Sequence, residues 1–163
     1  MSLNPMELTS LKKAVSLYAD RRQLVILLMG FSSGLPFLLG FSTLSFWLSR
    51  EGLSLSFIGG LVAVSIPYSL KFLWAPLFDG VQLPIFTKVF GRRRGWMLIT
   101  QVLLIISIIA LGASDPRESW FYMAAMAFVV AFLSASQDIV VDAYRIEILS
   151  EVEQGVGAAS TQI

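Results

Sequence analysis

Charged residues along the chain gather in short clusters, and long uncharged stretches separate them. Between Arg22 and Arg50 lie about 27 residues without a charge, more than the roughly 20 that a helix needs to cross the hydrocarbon core of a bilayer. A second stretch, residues 52–78, is interrupted only by Lys71. A third covers residues 95–114 and a fourth residues 119–137. Buried helices of soluble proteins rarely stay uncharged for so long, and residues 98–111 lack the period-two alternation of a barrel strand. In lipid the backbone must satisfy its own hydrogen bonds, so each stretch is predicted to be a helix. The expected fold is an all-α membrane protein with spans at 23–49, 53–78, 95–114 and 119–149, the last extending into the cytoplasm.

The basic residues alternate between flanks. Lys12, Lys13, Arg21 and Arg22 precede the first span, and Lys88, Arg92, Arg93 and Arg94 lie between the second and third. Only Arg50 and Arg117 fall on the other side. The positive-inside rule places the N-terminus, the 79–94 loop and the region after Arg145 in the cytoplasm of a multi-pass protein of the bacterial inner membrane. The lead, residues 1–22, carries Leu8, Leu11, Val15 and Tyr18 at helical spacing and reads either as a helix at the membrane surface or as a flexible basic tail. It has no cleavable-signal layout. Residues 150–163 read as a cytoplasmic loop running into the first residues of a further span, which makes a truncated sequence the expectation.

Gly and Pro punctuate the first two spans. Gly34 with Pro36 predicts either a kinked helix lining a cavity or simple packing, while Gly59 and Gly60 suggest close helix packing. Trp47, Trp74, Trp96 and Trp120 each fall near a predicted boundary, where interfacial anchoring accounts for them.

Composition narrows the chemistry. Of 163 residues 56% are hydrophobic and 14% charged, with a mean hydropathy of +0.75. Neither cysteine nor histidine occurs, so disulfides, zinc clusters, imidazole relays and thiol nucleophiles are excluded; no metal or cofactor is expected, and an enzyme is not. A net charge of +1 gives no footprint for nucleic acid; the expected partner is membrane lipid.

Ionisable residues inside spans are the candidates for function. Lys71 either reaches toward the interface along its own stem or meets an ion-pair partner or anionic substrate. Ser134, Asp138, Asp142 and Arg145 step by helical spacing onto one polar face, with Gln137 beside it. Asp138, the deeper carboxylate, is either structural or a protonatable, substrate-contacting group. Asp79 closes the second span at the unfavourable end of the helix dipole, and Gly91, Arg92, Arg93 and Arg94 open the third, so the arginines are its natural partners.

Four segments carry a resemblance: 34–36 (Gly-Leu-Pro), 71–79 (Lys-Phe-Leu-Trp-Ala-Pro-Leu-Phe-Asp), 91–96 (Gly-Arg-Arg-Arg-Gly-Trp) and 134–143 (Ser-Ala-Ser-Gln-Asp-Ile-Val-Val-Asp-Ala). Together they resemble the AmpG-type muropeptide permeases of the major facilitator superfamily, which have acetyl-coenzyme A transporters as relatives. The resemblance implies the N-terminal part of a proton-coupled importer of anhydromuropeptides in cell-wall recycling, its small-molecule substrate bound only together with further helices. It also implies that Asp79 with Gly91 to Arg94 forms the superfamily's cytoplasmic gate motif. Ala75 and Gly80 depart from that motif, and residues 81–90 form an insert similar to that of the muropeptide branch. A small four-helix membrane scaffold or assembly partner is the alternative.

Overall fold

The computed structural model describes residues 21–81, 84–150 and 153–154. The surface helix or basic tail expected at residues 1–20 and the further span expected after Gly155 lie outside the described residues. Every regular element among the described residues is helical. Four stretches are long and apolar enough to cross a membrane: Arg21–Arg50, Leu55–Leu73, Arg92–Gly112 and Trp120–Ile148.

Proline and glycine decide where these spans are regular. The first begins as α1 (Arg21–Leu38), passes through a π-helical turn (Leu39–Thr43) and ends as α2 (Leu44–Arg50). Pro36 sits inside α1. It has no N–H for the carbonyl of Ser32 and its ring crowds that carbonyl, and the wide turn follows it within one helical turn. A Cβ added at Gly34 would meet nothing within 4 Å, so this glycine is not a close-packing device among the described residues.

The second span is the more broken. It runs through α3 (Leu55–Gly60), a 3-10 turn (Leu61–Ser65), α4 (Ile66–Leu70), a second 3-10 turn (Lys71–Leu73) and α5 (Ala75–Gly80). Pro67 and Pro76 stand in the first turns of α4 and α5, where a missing N–H costs least. Each ends the regular bonding of the segment before it, and the chain tightens there to i+3 bonds. Within the first 3-10 turn the Ser65 hydroxyl donates to the carbonyl of Val62 at 2.6 Å. Gly59 and Gly60 were expected to mark close packing; among the described residues an added Cβ at either meets nothing within 4 Å, and the 3-10 turn begins directly after them.

A short helix, α6 (Pro84–Phe90), links the second span to α7 (Arg92–Gly112), and α8 (Trp120–Ile148) forms the fourth span. Among the described residues, those within 33–140 belong to one compact unit, and those within 21–32 and 141–154 to another.

In the larger unit the core joins α2, the first 3-10 turn and α8 through Leu44, Leu48, Val64, Met123, Ala127 and Ala131. Met123, Ala127 and Ala131 repeat every fourth residue and so share one face of α8. Lipid is as apolar as leucine, so burying these residues supplies little transfer energy; small alanines let helices approach, and dispersion contacts hold them. Large apolar side chains cover the outside, such as Ile109 at 66% and Phe121 at 72% exposure, as helices immersed in hydrocarbon require.

In the smaller unit, Arg145 pairs with Asp142 three residues earlier at 3.4 Å. Beyond α8, the Ser150 hydroxyl and amide both donate to the Glu153 carboxylate, at 2.7 and 3.0 Å. These two bonds hold that exposed carboxyl below the ordinary glutamate range, with Arg22 adding a smaller pull.

Candidate functional site

Two polar clusters form in the larger unit. The first stands at the junction of α5 and α7. Asp79 lies in the last turn of α5, where unpaired carbonyls give the helix end a negative potential that a carboxylate worsens. Gly91 turns the chain with φ +82°, a conformation that disfavours any residue with a Cβ, and α7 then opens on its three arginines. That turn brings Arg93 Nη1 within 2.6 Å of Asp79 Oδ1, while Arg92 Nη1 donates to the Asp79 carbonyl at 2.8 Å. One arginine thus neutralises the carboxylate and another caps the helix end. Trp96 reinforces the same corner: its indole N–H donates to the carbonyl of Val81 at 3.0 Å, and its ring meets Phe78 edge-on at 4.7 Å. Lys88 and Arg94 flank the corner on α6 and α7.

The second cluster lies within the spans. Asp138 on α8 is approached from two other spans: the Ser33 hydroxyl of α1 donates to Oδ1, and Lys71 Nζ stands 3.6 Å from Oδ2. Tyr68, one turn before Lys71, neighbours both Ser134 and Asp138 and meets Phe37 edge-on at 5.2 Å. Gln137 is buried and donates from Nε2 to Gln101 Oε1 on α7 at 2.7 Å. Its own Oε1 is buried without a hydrogen-bond partner. Beside these, Trp74 donates through its indole N–H to the Ser136 hydroxyl at 3.2 Å and packs on Phe132 at 4.8 Å. Ser136 passes the bond on to the carbonyl of Phe132 at 2.7 Å.

The geometry arranges the sequence-derived candidates as follows. Lys71 and Asp138 meet, Gln137 lies next to them in sequence and bonds elsewhere, and Asp79 meets Arg92 and Arg93. Asp142 and Arg145 belong to the smaller unit, where they pair with each other. Pro36 shapes α1 one turn after Ser33. Trp74, expected as an interfacial anchor, stands directly after the apolar stretch Leu55–Leu73, and its indole also bonds a serine of the fourth span. Ser33 and Gln101 were not anticipated. Their signal was the serine pair Ser32 and Ser33 just before Gly34, and the amide of Gln101 beside Thr100 in the third span.

Chemically the second cluster brings together a carboxylate, an ammonium, a hydroxyl donor and a pair of amides. Such a set can release its ammonium to an incoming anion, or exchange the ammonium's pull for a proton on the carboxylate. Among the described residues no group of three or more His, Cys, Asp or Glu side chains is placed to hold a metal ion.

Residues 23–128 match the family model described as acetyl-coenzyme A transporter 1. The anhydromuropeptide permease of Escherichia coli K12 is 45% identical over 143 residues, covering 88% of this chain and 28% of the permease. An uncharacterized Haemophilus influenzae protein is 45% identical over 137 residues, 84% of this chain and 31% of that protein. A Rickettsia felis protein provisionally designated transporter AmpG 1 is 37% identical over 132 residues, 81% of this chain and 30% of its own length. The chain therefore spans about three-tenths of the length of these relatives.

At the first cluster, Arg93→Ala should lower the unfolding free energy in bicelles by about 1 kcal/mol, because it leaves Asp79 facing the helix end unpaired. Adding Asp79→Asn should restore most of that loss. Equal stability of the single and double variants would show that the pair does not offset the dipole.

Proposed function

We propose, from the premise that the chain belongs to the acetyl-coenzyme A transporter family with AmpG-type permeases among its relatives, that it forms the N-terminal part of a proton-coupled muropeptide importer. The observation that carries the proposal is the meeting of Lys71, Asp138 and Ser33 from three separate spans within the apolar zone. A charge in hydrocarbon is costly, and structural needs alone are met by leucine or alanine.

In this mechanism Asp138 and Lys71 hold each other while the site is empty. An anionic group of the substrate draws Lys71 away, and the carboxylate thus released takes up a proton, so that substrate and proton load together. The Ser33 hydroxyl steadies the carboxylate. The Asp79 and arginine corner acts as the cytoplasmic gate, its ion pair breaking when the helices there part. The four spans supply one side of the pathway. The relatives' greater length provides the helices against which they move, in keeping with transporters built from repeated bundles around a midplane site. The alternative of a membrane scaffold has no observation of its own in its favour.

Exchange of this segment into the E. coli permease tests the proposal. Uptake of labelled anhydromuropeptide should survive the exchange, and Asp138→Asn or Lys71→Met should then cut it at least tenfold, about 1.4 kcal/mol in the limiting step, with insertion unchanged. Full uptake in both variants would leave the pair a structural or scaffold role.

The orientation proposed is N-terminus in the cytoplasm. Because the chain has no cysteine, single cysteines report it directly. Glu118→Cys should react with an impermeant maleimide added to intact spheroplasts, and Val89→Cys only after permeabilisation; the reverse pattern would invert the topology.

A further inference from the structure

Lys71 and Asp138 are not the only groups that join the second span to the fourth. Trp74, three residues further on, donates its indole N–H to the Ser136 hydroxyl at 3.2 Å, and its ring packs on Phe132 at 4.8 Å. Ser136 gives its own proton to the carbonyl of Phe132 one turn earlier, at 2.7 Å, so its oxygen is left to accept from the indole. This link is neutral at both ends, and Ser136 is 1% exposed; the Lys71 and Asp138 side chains are 37% and 27% exposed. One link is thus sealed and the other is open to exchange.

The order of the two links gives them a joint effect. Consecutive spans alternate in direction, so the second and fourth run the same way. Lys71 precedes Trp74 along the second span, yet the partners come in reverse order on the fourth, Asp138 after Ser136. The links therefore cross. Three residues of 3-10 turn advance the second span by about 6 Å, and two residues of α-helix advance the fourth by about 3 Å, so the links differ in slant by about 9 Å along the axis. No slide of one span past the other leaves both lengths unchanged. When an anion draws Lys71 away, the buried neutral link still resists the slide.

We infer that Trp74 is a positioning residue: through Ser136 it holds the second span in register with the fourth while the Lys71 and Asp138 pair opens, so that ammonium and carboxylate meet again when the site empties. The inference rests on the reading that this pair opens during transport, and distance and uptake measurements separate the two. The test measures a spin-label distance in the full 163-residue chain in phosphatidylcholine nanodiscs. The chain has no cysteine, so the labels go on Leu73→Cys and Phe121→Cys, at positions 63% and 72% exposed. A single narrow distribution is expected, and Lys71→Met, which removes the charged link, should leave its width unchanged. Adding Trp74→Phe, which keeps a ring against Phe132 and removes the N–H, should at least double the width. Ser136→Ala, which removes the acceptor instead, should do the same on the Lys71→Met background, and both changes together should add nothing further.

Full broadening by Lys71→Met alone would show that the ion pair sets the register by itself, and an unbroadened chain carrying Lys71→Met with Trp74→Phe would show that apolar packing does; either overturns the role given to Trp74. In the exchanged permease Trp74→Phe should lower uptake at least threefold with insertion unchanged. If that permease loses uptake with Asp138→Asn while the doubly substituted chain stays narrow, the positioning role falls and the transport proposal stands. If the broadening appears as expected and uptake is indifferent to Asp138→Asn, the positioning role stands and the transport proposal falls.

Discussion

A carboxylate cannot keep its charge in hydrocarbon without a partner, and Asp138 sets the terms for the centre of this chain. Its two oxygens are met by an ammonium from the second span and a hydroxyl from the first. Removing Lys71 takes away the countercharge that the second span supplies, and removing Ser33 takes away a donor that stabilises the charged form. Three spans are therefore tied together by electrostatics at a depth where apolar burial contributes little to association. The packed face of Met123, Ala127 and Ala131 brings the same helices close, and the ion pair fixes which residues face one another.

The irregular backbone of the second span follows from the same medium. Pro67 and Pro76 interrupt the helix around Lys71, and the chain answers with 3-10 turns, in the first of which the Ser65 hydroxyl bonds back to the carbonyl of Val62. Lys71 itself opens one of those 3-10 turns. Tighter bonding there places its Cα differently from a regular helix, so the position of the ammonium depends on prolines four residues before it and five after it. Trp74, in the break between that turn and α5, closes the arrangement by bonding to Ser136 of the fourth span. The cluster is thus built on the least regular stretch of helix in the unit, where small shifts in backbone geometry move a charge.

Much of this was readable from residue order because lipid imposes simple rules. Uncharged stretches of sufficient length gave the four spans, and isolated charges within them marked Lys71 and Asp138 as candidates. Asp79 and the arginines could be paired in advance because a carboxylate at a helix C-terminus requires a cation and three stood nearby. What could not be read were contacts between spans that involve neutral groups. Ser33 and Gln101 are common residues of membrane helices, and only the rotation of each helix decides whether a hydroxyl or amide faces a partner or bonds its own backbone. The bond from the Trp74 indole to Ser136 was illegible for a related reason: residue order places the tryptophan near a boundary but does not show which neighbour its N–H faces. Gly59 and Gly60 were taken for packing glycines because sequence shows a small residue and not the empty space beside it.

The central claim is that Lys71 and Asp138 compensate each other inside the membrane, and a double-mutant cycle on unfolding in a lipid bilayer measures it most directly. Lys71→Met and Asp138→Asn should each destabilise the chain, and the double variant should lose less than the sum, with a coupling of about 1–3 kcal/mol. Additive losses, with no coupling between the two positions, would contradict the account.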